Sequence, residues 1–223
     1  MNILFNYTTR SRPDLFERGL KSIIENCVSD NYKILVSVDE NDATMKKYWN
    51  DPRITTIIGE SKNKVDAINR DVNEFIYDWV IIVNFSDDMV FTQKGFDNII
   101  RDAFLVTEYD QELMEETDLD QCIHFPDGST GDRLISMSIL GRDYYKRFNY
   151  IYHPEYVSLY CDNETMDVAK ILGKYNFVNE NIFLHLHPAN GNAFNDEQYR
   201  YTESFHPIDQ ATYFKRKAMN YGL

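Results

Sequence analysis

Trp79-Val80-Ile81-Ile82-Val83-Asn84-Phe85-Ser86-Asp87-Asp88 is the stretch on which the fold turns. An unbroken apolar run of this length reads as a strand buried on both faces, as in a parallel sheet. It stops abruptly at two adjacent carboxylates. In open α/β sheets, ligands bind outside the carboxyl ends of the strands. Two acids at that edge suit a hard divalent cation and the phosphates it carries.

Upstream, strand and helix patterns alternate. Ile3 to Tyr7 reads as a first strand, and Ser11-Arg12-Pro13-Asp14 as a turn with proline at the first helical position. Phe16, Leu20, Ile23, Ile24 and Cys27 then recur at helical spacing. Tyr32 to Val38 is a second strand stopping at Asp39, and Asn41-Asp42 opens a short helix through Trp49. Ile54 to Ile58 is a third strand, and Val65, Ile68, Val72, Phe75 and Ile76 form a helical stripe. A helix near Phe96 to Phe104 follows the fourth strand. This βαβαβαβ order predicts a mostly parallel α/β sheet with helices on both faces.

Downstream the pattern changes. Phe125-Pro126-Asp127-Gly128 is a turn, Leu134 to Leu140 a strand ended by Gly141, and Arg142 to Phe148 a short helix. Asn163 to Gly173 is helical with a glycine C-cap, and Asn181 to Leu186 is a strand running into His187-Pro188. The polar, aromatic tail from Asn190 has no clear assignment. The expected organisation is one domain over 1–190, in two parts over 1–105 and 121–190. Residues 191–223 would pack on that domain or act as a lid.

The totals restrict the function. With 223 residues and 43% hydrophobic content the chain can bury a core, so disorder is excluded as the default. A net charge of -13 opposes non-specific attraction to nucleic acid or anionic membranes. Glu108, Asp110, Glu112, Glu115, Glu116, Asp118 and Asp120 form one acidic stretch, read as a solvated helix or loop. Cys27, Cys122 and Cys161 form no CxxC and no disulfide framework, which fits a reducing compartment. With no signal-peptide pattern at Met1-Asn2-Ile3 and no apolar run near the ~20 residues of a membrane span, a cytoplasmic location without a membrane span is expected.

Four polar sets stand where strands or turns end: Thr8, Thr9, Arg10 and Ser11; Asp39 and Glu40; Ser86, Asp87 and Asp88; and Asp162-Asn163-Glu164 with His185 and His187. A nucleoside needs a polar wall for base and ribose. A diphosphate leaving group needs a cation for the charge that develops on it, and an acceptor hydroxyl needs a general base. Asp39 could accept from a base N–H, and Asp87 and Asp88 could hold ribose and metal. A late histidine could complete the metal shell, and Asp162 or Glu164 could take the acceptor proton. Against these stand plain helix-capping readings for Asp39, Asp87-Asp88 and Asp162, and a structural reading for one of the two histidines. Lys62, Lys64 and Arg70 could face phosphate or be surface charge.

Taken in order, Tyr7-Thr8-Thr9-Arg10-Ser11-Arg12-Pro13, Val36-Ser37-Val38-Asp39, Asn63-Lys64-Val65-Asp66-Ala67-Ile68-Asn69-Arg70, Ser86-Asp87-Asp88 and Asp162-Asn163-Glu164 resemble a nucleotide-sugar glycosyltransferase of the GT-A fold, similar to family 2. The resemblance runs from Met1 to about Pro188. It implies a GT-A (Rossmann-like) domain over 1–190, with a nucleotide-binding half (1–105), an acceptor or catalytic half (121–190) and a C-terminal acceptor-side elaboration. It further implies metal-dependent transfer of a sugar from a nucleotide diphosphate donor, most simply UDP-linked, to an acceptor hydroxyl, with inversion.

On the matched positions it implies donor contacts from Thr8, Thr9, Arg10, Asp39, Lys64, Asn69 and Asp87. Mn2+ or Mg2+ would sit on Asp88 with His187, and catalysis would fall to Asp162 or Glu164. Ser86 stands where the family's Asp-x-Asp motif has its first acid. The acceptor would be a glycan, a lipid-linked sugar or a hydroxymethylated DNA base; Tyr213-Phe214-Lys215-Arg216-Lys217 mixes aromatics and cations as base contacts would. Rival readings are a nucleotidyltransferase, which would release pyrophosphate, a non-catalytic sugar-nucleotide-binding module, and a metallohydrolase using Asp87, Asp88, His185 and His187.

Overall fold

The structure, a computed structural model, describes residues 1–106, 116–188, 191 and 196–223. Of the acidic stretch, Glu108, Asp110, Glu112 and Glu115 lie outside the described residues, as does Asn190 at the head of the tail.

The central sheet has seven strands in the order β10-β8-β9-β4-β1-β2-β3. The strands are β1 (Ile3–Thr8), β2 (Tyr32–Asp39), β3 (Thr55–Gly59), β4 (Ile81–Ser86), β8 (Cys122–His124), β9 (Ile139–Gly141) and β10 (Tyr175–Phe177). β1 pairs in parallel with β2 and β4, β2 with β3, and β8 with β10. β9 runs antiparallel between β4 and β8. A second pair joins β5 (Met89–Phe91) to β11 (Phe183–His185), and a third joins β6 (Leu105–Val106) to β7 (Glu116–Thr117).

Strand side chains alternate between two cores. Ile3, Phe5, Tyr7, Val36, Val38, Ile81, Val83 and Phe85 face one core, against α1 (Pro13–Asn26) and α3 (Phe96–Asp102). Leu4, Leu35, Ile82 and Leu140 face the other, against α2 (Lys64–Asn69), α4 (Arg142–Lys146) and α5 (Cys161–Ile171). α1 lies close on the sheet at Gly19, where a Cβ would meet the Tyr7 hydroxyl at 2.1 Å. That hydroxyl donates to the Phe16 carbonyl (2.9 Å).

Two expectations change. The helical stripe expected through Ile76 ends at Asn69. Asn6, buried on β1, donates to the Ile68 carbonyl (2.8 Å), the acceptor that a continuing helix would use. Val72 remains buried, but Ile76 is 100% exposed. The strand expected over Leu134 to Leu140 is shorter, Ile139–Gly141. The unassigned tail contains two helices, α6 (Glu197–Glu203) and α7 (His206–Ala218). Among the described residues no helix is long and apolar enough to cross a membrane.

Candidate functional site

β1, β2 and β3 extend the sheet to one side of β1, while β4 lies on the other. In open sheets such a reversal leaves a crevice past the carboxyl ends of the strands that flank it, here β1 and β4, and ligands usually bind there. Thr8 is in register with Ser86 across it and with Ser37 on β2. Three buried oxygens along this edge, Thr8 Oγ1, Ser37 Oγ and Asp39 Oδ1, have no hydrogen-bond partner among the described residues. Buried polar atoms are normally satisfied, so the Thr8 and Ser37 hydroxyls, beside an Asp39 Oδ1 met only by the longer Arg70 contact, make an edge suited to a polar ligand.

Asp39 forms an ion pair with Arg10, whose other amine donates to Asn41 Oδ1 (3.0 Å), and Arg70 Nη1 lies 3.5 Å from Asp39 Oδ1. The cap of the following 3-10 helix (Ala43–Tyr48) is Asp42, which accepts from the Thr44 and Ser11 amides. Asp39 is therefore not the cap. Asp87 and Asp88 are followed by β5 rather than a helix, which removes their capping reading too.

Asp87 accepts from Thr9 Oγ1 (2.7 Å) and Arg12 Nη1 (3.1 Å). Burial, then repulsion from Asp88, push its carboxyl up to about 6, against Arg12 and Thr9. Arg12 continues to Asp196 (2.6 Å), the N-cap of α6, and stacks 4.0 Å from the centre of the Tyr199 ring. Tyr199 in turn donates to Asp88 Oδ2 (3.1 Å).

Asp88 also accepts from Ser86 Oγ and faces His185 Nε2 at 3.3 Å. β11 pairs with β5 so that His185 is opposite Met89, which delivers the imidazole to this carboxylate. Behind it, His185 Nδ1 lies 3.6 Å from Asp127 Oδ2. Burial alone would lower the His185 pKa, but the two flanking carboxylates raise it to about 9. Burial would raise Asp88; His185, Lys64 and Ser86 hold it well below the usual carboxylate range. His187 packs its ring 5.3 Å from His185 and 4.9 Å from Tyr199, and its pKa is lowered by burial and the His185 charge.

Among the described residues no group of three His, Cys, Asp or Glu side chains could hold a metal alone. A nucleotide-bound Mg2+ or Mn2+ does not need one, since it takes one or two carboxylates plus phosphate oxygens. Asp88 fits that donor chemistry, and of the two imidazoles nearby His187, whose pKa is lowered, offers a neutral nitrogen, whereas His185 would first have to give up the proton it holds between Asp88 and Asp127.

The opposite wall carries Lys64 and Asp162. Lys64 opens α2, is exposed, and acts electrostatically on both Asp88 and Asp162. Asp162, in the first turn of α5, accepts from the Asn163 amide (2.9 Å). The α5 N-cap is Tyr160, not Asp162. Burial raises the Asp162 carboxyl, against Lys64 and His185.

Two candidates have other employment. Asn69 donates to the Tyr152 carbonyl (2.7 Å) and accepts from the Ile151 amide (2.9 Å), so it clasps that loop. Glu164 is buried and takes Arg216 on both oxygens (2.8–3.0 Å) and the Tyr156 hydroxyl (2.7 Å). Arg12, Asp127 and Tyr199 were not singled out from sequence. Their roles depend on long-range contacts that no local pattern announces; only Arg12, inside the Thr8 to Pro13 motif, stood near a signal.

No family model and no curated protein matches this chain. Solved structures do. TarS of S. aureus superposes with a TM-score of 0.58 at 9% identity, covering 82% of this chain. This chain spans only 36% of TarS. A protein of Desulfovibrio desulfuricans G20 described as a nucleotide-diphospho-sugar transferase matches at 0.51 and 9% identity, over 96% of this chain and 99% of its own. A cytidylyltransferase of Leptospira borgpetersenii matches at 0.51 and 13% identity, over 80% and 75% of the two chains. The chain therefore has the mixed α/β, GT-A-like fold of nucleotide-sugar transferases.

Proposed function

We propose that the protein is a glycosyltransferase moving a sugar from a nucleoside diphosphate donor to an acceptor hydroxyl. The observation that carries this reading is the set of polar residues gathered at the carboxyl ends of β1, β2 and β4, where the strand order reverses. One wall presents Thr8, Thr9, Asp39, Asp87 and Asp88, and the other Lys64 and Asp162. Thr8 and Asp39 meet the base, with Arg10 fixing Asp39, and Asp87 meets the ribose. Asp88 with His187 or His185 would hold Mn2+ or Mg2+; when bound, the cation neutralises charge on the diphosphate. Lys64 adds a positive charge on the same leaving group.

Asp162 acts as the general base. The acceptor oxygen attacks the anomeric carbon, its proton passes to the Asp162 carboxylate, and the carbon–oxygen bond to the diphosphate breaks with its electron pair. Attack opposite the leaving group inverts the centre. Glu164, engaged by Arg216 and Tyr156, supports the wall instead. UDP is the first donor to test.

A glycan acceptor is favoured over DNA. In Tyr213-Phe214-Lys215-Arg216-Lys217, Lys215 pairs with Glu155, Arg216 with Glu164 and Lys217 with Asp167. Those cations are already neutralised, and the net charge is -13. Nucleotidyl transfer is the second reading, supported by the cytidylyltransferase likeness.

The test is nucleoside diphosphate release from a panel of UDP-, GDP- and other sugar donors with Mn2+, Mg2+ or EDTA. Metal-dependent release from one donor is expected. Pyrophosphate release from a nucleoside triphosphate and a sugar phosphate would replace this reading with the second. Absence of any donor binding would remove both. Asp88→Ala should abolish metal-dependent release in a chain that stays folded.

A further inference from the structure

α7 does not lie loosely over the site. Its Asp209 is 0% exposed, and the carboxylate accepts three consecutive backbone N–H groups, from Val157 (2.8 Å), Ser158 (2.9 Å) and Leu159 (2.8 Å). These residues form the loop entering α5, three to five positions before Asp162. The same loop reaches the Lys64 helix, because the Val157 carbonyl accepts from the Val65 amide (3.2 Å). At its end Tyr160 has φ +61°, a left-handed conformation that is uncommon outside glycine. Such strain persists only where the surroundings over-determine it. Here α7 supplies them: the Tyr160 hydroxyl lies 2.9 Å from His206 Nε2 and accepts from Gln210 Nε2 (3.0 Å).

We propose that Asp209 is a positioning residue for the transfer step: by gathering the 157–159 amides it fixes the loop from which both Asp162 and Lys64 are aimed. This rests on the reading of Asp162 as general base. α7 is then a fixed brace of the acceptor wall rather than a lid, since a lid must release its contacts on each turnover and Asp209 holds its own in a dry site. A buried carboxylate removed from three donors leaves all three unsatisfied, and the loop must move to find water.

The experiment compares wild type with Asp209→Asn, which keeps the size but removes the charge and replaces one of the two acceptor oxygens with an NH2 donor. A misplacement of about 1 Å at a reacting group lowers turnover on the order of 100-fold. The expected result is therefore a 10- to 100-fold fall in kcat, on the order of that estimate, with any loss of donor affinity through Lys64 smaller than the fall in kcat. Amide exchange at Val157–Leu159 should accelerate. A merely structural Asp209 would lower the melting temperature and leave kcat per folded molecule unchanged, and that result overturns the proposal.

If Asp209→Asn does not fold, the milder His206→Ala/Gln210→Ala pair loosens Tyr160 alone. It should lower kcat by about threefold to tenfold, a fraction of the full misplacement effect; unchanged kcat is again the overturning result. A wild-type chain that transfers no sugar from any donor removes the base reading and this one with it. Failure of this inference alone appears as an active wild type and an equally active variant.

Discussion

The two proposed walls of the crevice, one for the donor and one for the acceptor, are built by different physics. The donor wall is the end of a parallel ladder: β1, β2 and β4 run side by side, and Thr8, Asp39 and Asp87-Asp88 stand where those strands stop or just beyond. Its side chains inherit their positions from backbone pairing and an apolar core. The acceptor wall has little ladder. Asp162 is aimed by a loop fastened to α7 through buried charged and polar groups, namely Asp209 on three amides and Arg216 on Glu164. A ladder distributes its hold over many weak bonds. A buried charge concentrates it in a few, so single substitutions should affect the two walls very differently.

The largest effect is expected at Asp162, the proposed general base. Asp162→Asn should lower kcat by about 1,000-fold, the range for a lost general base, while donor binding is kept. Calorimetric titration of UDP beside steady-state rates separates the two, and a variant with near-normal kcat would take the chemistry away from this wall.

Next is the brace. Arg216→Ala leaves Glu164 buried with only Tyr156 beside it and should destabilise the fold by about 3–5 kcal/mol. The double change Glu164→Leu/Arg216→Met should recover most of that loss. A single variant losing under about 1 kcal/mol in urea denaturation would show that the acceptor wall does not depend on buried charge.

The junction of the walls should respond to pH. His185 has its folded-state pKa raised to about 9, above the ordinary 6.5, by Asp88 and Asp127. The stabilisation is thus fully present below about pH 6.5 and is lost as pH rises through 9, amounting to about 3 kcal/mol. Denaturation midpoints measured in EDTA should fall between pH 7 and 10 in wild type and stay flatter in His185→Gln. A flat wild-type profile would dissolve the imidazolium between the two carboxylates.

The smallest effect belongs to an exposed ion-pair cluster at the start of β3, away from both walls. Arg53 pairs with Glu17 and Asp51 at 2.8 and 2.7 Å, but it is partly exposed. Arg53→Ala should change stability by less than about 1 kcal/mol. A loss as large as that of Arg216→Ala would show that burial is not what makes charge strong in the acceptor wall.

How much could be read in advance follows the same division. The β1, β2 and β4 strands and the acids at their ends were visible because a buried parallel strand needs consecutive apolar residues and stops where polarity begins. The α2 stripe was over-extended because Asn6, 62 residues away, takes the Ile68 carbonyl. α7 was missed because the residues it buries most fully are Asp209 and Arg216, so hydrophobic periodicity, the signal that marks a helix face, is absent where it matters. The aromatic and basic run Tyr213 to Lys217 looked like a nucleic-acid surface, yet its cations are internal fastenings.

The sequence by itself determined the sheet, its polar edge and the candidate groups Asp39, Asp87, Asp88 and Asp162, because period and polarity along a strand are local properties. Only the tertiary structure decided that His185 stands between Asp88 and Asp127, that Tyr199 and Arg12 close on the acidic pair, and that Glu164 is bound to Arg216. Each of those depends on charges brought together from distant parts of the chain. Their pairing is set by the geometry of burial, and burial is a property of the fold as a whole.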